Sequence, residues 1–353
     1  MTDERTIGET PIQEIVDIPM SGKKNVVLDA TVLSSLMACP RLTDFRFNMN
    51  LQSIEGKSNS LELGSIVHKF LEVFYTCIIA RMSRDQAIQY GFAAAELYIK
   101  GCKFCTDFVP SCTVDLYKEN TDTHVHSESC ILKPACGHRV NDYPGVKNTP
   151  RDDQKEPYAK TGWQWALDTC DQYQKHYASD HWVPLEVETV KSKVLYEDDE
   201  VRILWKAKLD LVSDTNQGIY PIDHKTMKQN RNTIKLNNQF KGQCLTQGTR
   251  GAFINKIGFQ KTLKPEEKFL RPLLSYSAPG LMEWQSEILP YYAKLLLMYA
   301  ETGYFPPNFT HCEGKYGNCA FVGVCGSDPS MREEEIKLHF YVGQPWNPTN
   351  DDD

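Results

Sequence analysis

Apolar residues recur along this chain with two different periods. Over Leu204–Val212 apolar and polar positions alternate in places among residues that favour extended backbone, which predicts a strand. Ser213–Gly218 collects Ser, Asp, Thr, Asn and Gly and reads as a turn. Ile219–Lys225 resumes as a second strand, with Pro221 tolerable near its start or on an edge. Upstream, Trp182–Val190, Lys191–Tyr196 and Val201–Ala207 extend the same sheet through a charged turn, Glu197–Glu200, and Asn25–Leu28 is a short strand-like patch. Helical spacing appears elsewhere. Leu63, Ile66, Val67, Phe70, Leu71 and Phe74 form one stripe, and Asn59 with Glu62 resembles its capping box. Further helices are expected over Arg84–Ile99, Gly162–Ala178, from Gln239 to about Lys256, and over 283–303 with Gly303 as C-cap. Asp29 or Thr31 caps a helix carrying Leu33, Leu36 and Met37, which Pro40 limits.

The pattern breaks at Gly101 and resumes near Pro157. Five segments result: a leader at 1–30, a helical region at 31–100, a Cys/His-rich insertion at 101–157, a sheet-bearing core at 158–305, and a Cys-rich C-terminal region at 306–353.

At 353 residues there is chain enough for a substantial core. A formal net charge of -7 excludes a generally basic nucleic-acid coat and leaves room for a local basic groove. The acidic start M-T-D-E-R is no secretory signal. The longest apolar run, around Phe70–Ala80, carries Glu72 and is too short to span a bilayer. A cytoplasmic protein with no membrane association is the expectation. In that setting twelve cysteines favour metal ligation over a disulfide framework.

Side chains two apart on a strand share a face, so Lys208 goes with Asp210 and Asp223 with Lys225. Carboxylates on adjacent strands suit Mg²⁺ or Mn²⁺, and a lysine beside them can orient water or offset phosphate charge. The competing reading is a surface hairpin with solvated charges. His68 sits four residues after Gly64 on a helix, either as a satisfied structural residue or as a ligand. Gly64 costs about 1 kcal/mol in a helix relative to Ala, which implies a close backbone approach. The basic residues Lys228, Arg231, Lys235 and Lys241 offer a phosphate-positioning surface or merely a solvated face. In the insertion, Cys102, Cys105, Cys130 and Cys136 are a candidate zinc set; the alternative is a loop with free thiols. Cys312, Cys319 and Cys325 fall within fourteen residues and suit Zn²⁺ or an iron–sulfur cluster, with Cys39 as the distant fourth ligand.

The ordered set of Cys39, Gly64-x-x-x-His68, an acidic strand, Asp210, Asp223-His224-Lys225, Gln239 and Cys312…Cys319-x₅-Cys325 resembles the iron–sulfur branch of the PD-(D/E)XK nucleases. That branch includes the AddB nuclease domain and the CRISPR adaptation exonucleases and is RecB-like in its core. The resemblance spans 31–325 without the insertion. It implies an α/β fold: a restriction-endonuclease-like core of a central mixed sheet flanked by helices, with a helical N-terminal part and a Cys-rich C-terminal cluster region. It implies His68, Asp210, Asp223 and the main-chain oxygen of His224 as Mg²⁺ or Mn²⁺ ligands. Lys225 would orient or activate the attacking water, Glu188 (or Glu186) fits the acidic position upstream, and Gln239 contacts the lysine or the DNA backbone. Cys39, Cys312, Cys319 and Cys325 would hold a structural [4Fe–4S] cluster. The implied activity is metal-dependent hydrolysis of DNA from a single-stranded end. The chain departs from the family at Asp223, where glutamate is frequent, at Gln243, where the family has tyrosine, and in the long Cys312-x₆-Cys319 spacing. With no G-x-x-x-x-G-K-[ST] loop, unwinding calls for a helicase or recombination partner. A nuclease-like module that only binds nucleic acid or protein is the alternative, and an RNA-processing nuclease a third reading.

Overall fold

The computed structural model describes residues 16–17, 23–54, 59–99, 158–227, 232–259, 263–314, 317–343 and 345–346. In chain order the elements begin with β1 (Val16–Asp17), β2 (Lys24–Leu28), α1 (Ala30–Ala38), α2 (Pro40–Thr43) and β3 (Leu51–Ser53). Three longer helices follow: α3 (Asn59–Ile79), α4 (Arg84–Ile99) and α5 (Tyr158–His176). Next come β4 (Val183–Glu197), β5 (Val201–Thr215), β6 (Gly218–Met227), α6 (Asn238–Gln247) and β7 (Gly251–Gly258). A short run holds α7 (Pro265–Lys268), β8 (Phe269–Leu270), β9 (Leu273–Ser275) and α8 (Ala278–Glu283). The C-terminal part has α9 (Leu289–Thr302), β10 (Glu313–Gly314), β11 (Gly317–Asn318), α10 (Val322–Gly326), α11 (Arg332–His339) and β12 (Phe340–Val342).

The fold is α/β. An eight-stranded mixed sheet runs β1-β2-β5-β6-β7-β8, with β4 also paired to β5 and β9 to β7. The β2–β5 and β6–β7 contacts are parallel, and β4–β5 and β5–β6 are antiparallel. Helices cover both faces, and β7 shows how: Phe253 and Ile257 pack with α3, α4 and α5, while Ala252 and Ile254 pack with Phe240 and Cys244 of α6. The period of two in the strands therefore sorts side chains to two different helical layers. Among the described residues no helix is long and apolar enough to cross a membrane.

Several local expectations meet their physical cause here. Asp29 caps α1, its carboxylate accepting from the Val32 N–H at 2.7 Å. Gly303 ends α9 in the left-handed region at φ +64°. The helix expected from Gln239 to Lys256 is a correction: α6 stops at Gln247, Gly248 turns the chain at φ +78°, and residues from Gly251 onward form β7 in the sheet. The strands also run further than the turn-rich composition suggests, with β5 continuing to Thr215 before the hairpin to β6.

Segments near the two ends of the described residues meet. β3 pairs with β12, Arg41 N–H donates to the Pro306 carbonyl at 3.3 Å, and Asn308 Nδ2 donates to the Ala38 carbonyl at 2.8 Å. Phe45, Leu51, Phe321, Val324, Ile336 and Phe340 form a small separate core there, against which Cys319 and Cys325 pack.

Candidate active site

The site lies at a fork in the sheet. The β5–β6 ladder runs from Thr215↔Gly218 to Leu211↔Ile222 and stops. The next residues on the two strands are Asp210 and Asp223. Instead of a ladder bond, the His224 N–H donates to Asp210 Oδ2 at 2.7 Å. A carboxylate thus takes over a backbone donor at the point where the strands part.

Two helices meet this fork from opposite faces. From α3, His68 brings Nδ1 to 3.8 Å from Asp210 Oδ2. Gly64 lets the helix come this close, since a Cβ there would lie 2.8 Å from Thr226 Oγ1 on β6. From α6, Gln239 Nε2 donates to Asp223 Oδ1 at 2.7 Å, and Gln243 Nε2 reaches the same oxygen at 3.3 Å. Residues four apart on a helix share a face, so both amides hold one carboxylate. Asp223 Oδ2 sits 2.8 Å from Lys225 Nζ, which also lies over the Phe240 ring.

The third acidic group comes from β4. Its neighbours Val187 and Thr189 pair with Leu211 and Leu209, so Glu188 stands opposite Asp210. Its φ of +49° places a non-glycine residue in the left-handed region in mid-strand, which costs on the order of 1–3 kcal/mol. One ligand atom from each of His68, Glu188 and Asp210 lies within 4.8 Å of the others, the tightest such His/Cys/Asp/Glu group among the described residues. Asp223 stands beside this group and is taken up by Lys225 and the two glutamines. Glu186 points elsewhere, into an ion pair with Lys191 at 2.8 Å.

Burial and charge set the protonation states. Burial raises the Glu188 carboxyl, and the Asp210 charge adds to that, taking it to about 8 against the pull of Lys208, whose Nζ is 3.0 Å away. Asp210 is held below the usual carboxylate range: burial opposes this, but His68, His224, Lys225 and the His224 N–H outweigh it. Asp223 is raised by burial and by Asp210 despite Lys225. Burial works to deprotonate Lys225, yet Asp223 and Asp210 keep it cationic. The His224 imidazole is pushed down to about 3, mainly by burial, and is neutral.

A stability profile follows from Glu188. A carboxyl raised on folding contributes stability that is complete below pH 4.5 and is lost as pH rises through about 8. With divalent ions chelated, wild type should therefore lose stability relative to Glu188→Gln between about pH 5 and 8, by up to about 1.4 kcal/mol per pH unit. Melting curves across that range check this; parallel profiles for the two proteins contradict it.

The four cysteines of the proposed cluster also come into one neighbourhood. Asn308 N–H donates to Cys39 Sγ at 3.2 Å. The β10–β11 hairpin closes the long spacing, with Cys319 N–H bonded to the Cys312 carbonyl at 2.8 Å. Burial raises the Cys312 thiol, and the thiols of Cys319 and Cys39 add to it. Burial likewise raises Cys325, where the Arg41 guanidinium pulls the other way and Cys312 and Cys39 push up. Cys77, Cys170 and Cys244 are instead buried singly in apolar cores.

Of the basic residues after Lys225, Lys235 is exposed and Lys241 half-buried. Lys228 and Arg231 lie outside the described residues, as do Cys102, Cys105, Cys130 and Cys136. The sequence offered no signal for Gln243 as an Asp223 partner beyond its spacing from Gln239. Neither family models nor curated proteins return a match to this chain.

Proposed function

We propose that this chain is a metal-dependent deoxyribonuclease of the PD-(D/E)XK type, acting on single-stranded DNA ends. The observation that carries the reading is the convergence of His68, Glu188 and Asp210 at the sheet fork, beside the Asp223–Lys225 pair. One imidazole and two carboxylates fit Mg²⁺ or Mn²⁺, leaving positions for water and a phosphate oxygen. When bound, such an ion supplies Lewis-acid polarisation of the phosphate and a more acidic water.

The chain's own groups complete the site. Lys225 is cationic, so its part is to donate hydrogen bonds to the attacking water or a phosphate oxygen and to offset developing negative charge. Asp223 fixes the Lys225 ammonium, and Gln239 and Gln243 fix Asp223. The His224 main-chain oxygen is a further ligand candidate, and Lys235 and Lys241 are available to the DNA backbone. The test is incubation of the purified chain with Mg²⁺ or Mn²⁺ and labelled single-stranded DNA, duplex DNA and RNA side by side. Shortening of single-stranded DNA from its ends is expected. Retention of all three substrates uncut, with binding intact, would replace the reading with a binding module; preferential cutting of RNA would reassign the substrate.

The same reading places a [4Fe–4S] cluster on Cys39, Cys312, Cys319 and Cys325. Four free thiols, one between α1 and α2 and three after α9, fit it, and the backbone N–H to Cys39 Sγ suits a thiolate. Its contribution is structural, joining segments more than 260 residues apart in sequence. Anaerobically purified protein should be brown with about four iron atoms per chain. Cys325→Ala should lose the colour and melt earlier; zinc in place of iron would overturn the cluster.

A further inference from the structure

The residue between Asp223 and Lys225 has a side chain that the mechanism above does not use. The His224 ring is buried, stacked on Tyr75 at 5.9 Å and 9°, and set edge-on to the His68 ring at 5.9 Å and 77°. Its Nδ1 lies 2.8 Å from Asn255 Nδ2 on the neighbouring strand β7. Asn255 is fully buried, and its partner His224 is a candidate ligand only through its main-chain oxygen.

An arginine only donates, so Arg271 Nε at 3.4 Å requires the Asn255 oxygen to face it. The Asn255 amide nitrogen then faces the other way, toward Tyr173 OH at 2.8 Å and His224 Nδ1. Its two protons serve those two acceptors. Nδ1 of His224 therefore accepts, which leaves the ring proton on Nε2. Arg271 is itself anchored by Asp180 and donates to Tyr173 OH at 2.9 Å and Tyr75 OH at 3.3 Å. A buried polar network thus sets the His224 ring in one orientation.

That orientation bears on one ligand directly, the His68 ring packed edge-on to it. The His224 N–H holds Asp210 Oδ2, and the ring packs against His68. We infer that Asn255 and His224 form a positioning pair that presets the His68 ring for the cation. The inference rests on the proposed metal site and deepens it. Asn255 acts through His224 and is a positioning residue, not a catalytic one.

The experiment is Mn²⁺ titration followed by the electron paramagnetic resonance signal of the free ion. It compares wild type, Asn255→Leu and Tyr75→Phe, with circular dichroism and melting as folding controls. Tyr75→Phe removes a hydroxyl from the same network and keeps the ring stacked on His224, so it reports any effect that comes merely from weakening the network. Asn255→Leu should weaken Mn²⁺ binding about ten-fold or more, as loss of a partner behind a metal ligand does. Tyr75→Phe should stay within about two-fold of wild type, since it leaves the His224 hydrogen bond in place. Should Asn255→Leu not fold, His224→Phe carries the same test, because it keeps an aromatic ring and the backbone N–H while deleting the Nδ1 acceptor and the Nε2 donor. Mn²⁺ affinity equal to wild type in the folded variant overturns the inference, as does an equal loss in Tyr75→Phe. Wild type that binds no Mn²⁺ removes both the inference and the functional reading. Wild type that binds Mn²⁺ and cuts no DNA removes the functional reading alone.

Discussion

Lys225→Met should lower the rate of DNA hydrolysis by roughly 10²–10³-fold at saturating Mn²⁺, the range found when one preorganised donor to a developing charge is removed. Lys225 is the one cation among the side chains that contact the Asp223 carboxylate, and its own side chain is 31% exposed at the open side of the fork. Asp223 and Asp210 keep it protonated against the effect of burial, so it serves as a donor and not as a base. Methionine keeps an apolar side chain of similar length and removes the charge, its protons and the ammonium's contact over Phe240. The fold should survive the change. Asp223 is fully buried, already raised by burial, and retains Gln239 and Gln243, so it can take up a proton rather than stand as a bare charge. Mn²⁺ affinity should be unchanged or slightly stronger, because a neighbouring positive charge is gone. Measured rates in the mutant close to those of wild type would remove Lys225 from the mechanism.

Gly242→Ala should destabilise the protein by about 3 kcal/mol, at the upper end of what overpacking usually costs. A Cβ at 242 would lie 2.2 Å from Trp205 Nε1 and 2.3 Å from Cε2. The indole has nowhere to retreat: Trp205 is buried, and Trp284 sits edge-on to it at 5.2 Å. The melting temperature should fall by roughly 6–12 °C at about 2–4 °C per kcal/mol. Gly248→Ala is the control. Its φ is +78° but nothing lies within 4 Å of its Cβ position, so only the left-handed backbone penalty of roughly 1–2 kcal/mol applies. Equal losses at the two positions would mean that backbone conformation, not the Trp205 contact, governs position 242. Because α6 carries Gln239 and Gln243, its seat on β5 also sets how Asp223 is held.

The parts of the site that lie on regular elements were readable from spacing. Period two put Asp223 and Lys225 on one face of β6, and they meet at 2.8 Å. The glycine at 64 signalled a close approach, and Thr226 is what α3 approaches. The parts set by non-local pairing were not readable. Nothing in the residues around Glu188 announces its left-handed backbone, which occurs in mid-strand between the pairs Val187–Leu211 and Thr189–Leu209. Asn255 belongs to a stretch where the sequence predicts a continuing helix, and only the parallel pairing of β7 with β6 brings it beside His224. The long gap between Cys312 and Cys319 looked unfavourable on a linear count; a two-stranded hairpin shortens it. The carboxylate nearest His68 and Asp210 was likewise set by strand pairing. Glu188 stands with His68 and Asp210, while Asp223 is occupied by a lysine and two amides.

The central claim is that His68, Glu188 and Asp210 hold the divalent ion that makes this chain a nuclease. The most direct measurement is the time course of end-labelled single-stranded DNA with purified wild type in Mn²⁺, in EDTA, and with Asp210→Asn in Mn²⁺. The account predicts progressive shortening in the first, none in the second, and at least a roughly 10³-fold slower reaction in the third, equivalent to about 4 kcal/mol of lost transition-state stabilisation. Cleavage that persists in EDTA, or that Asp210→Asn carries out at the wild-type rate, would contradict it.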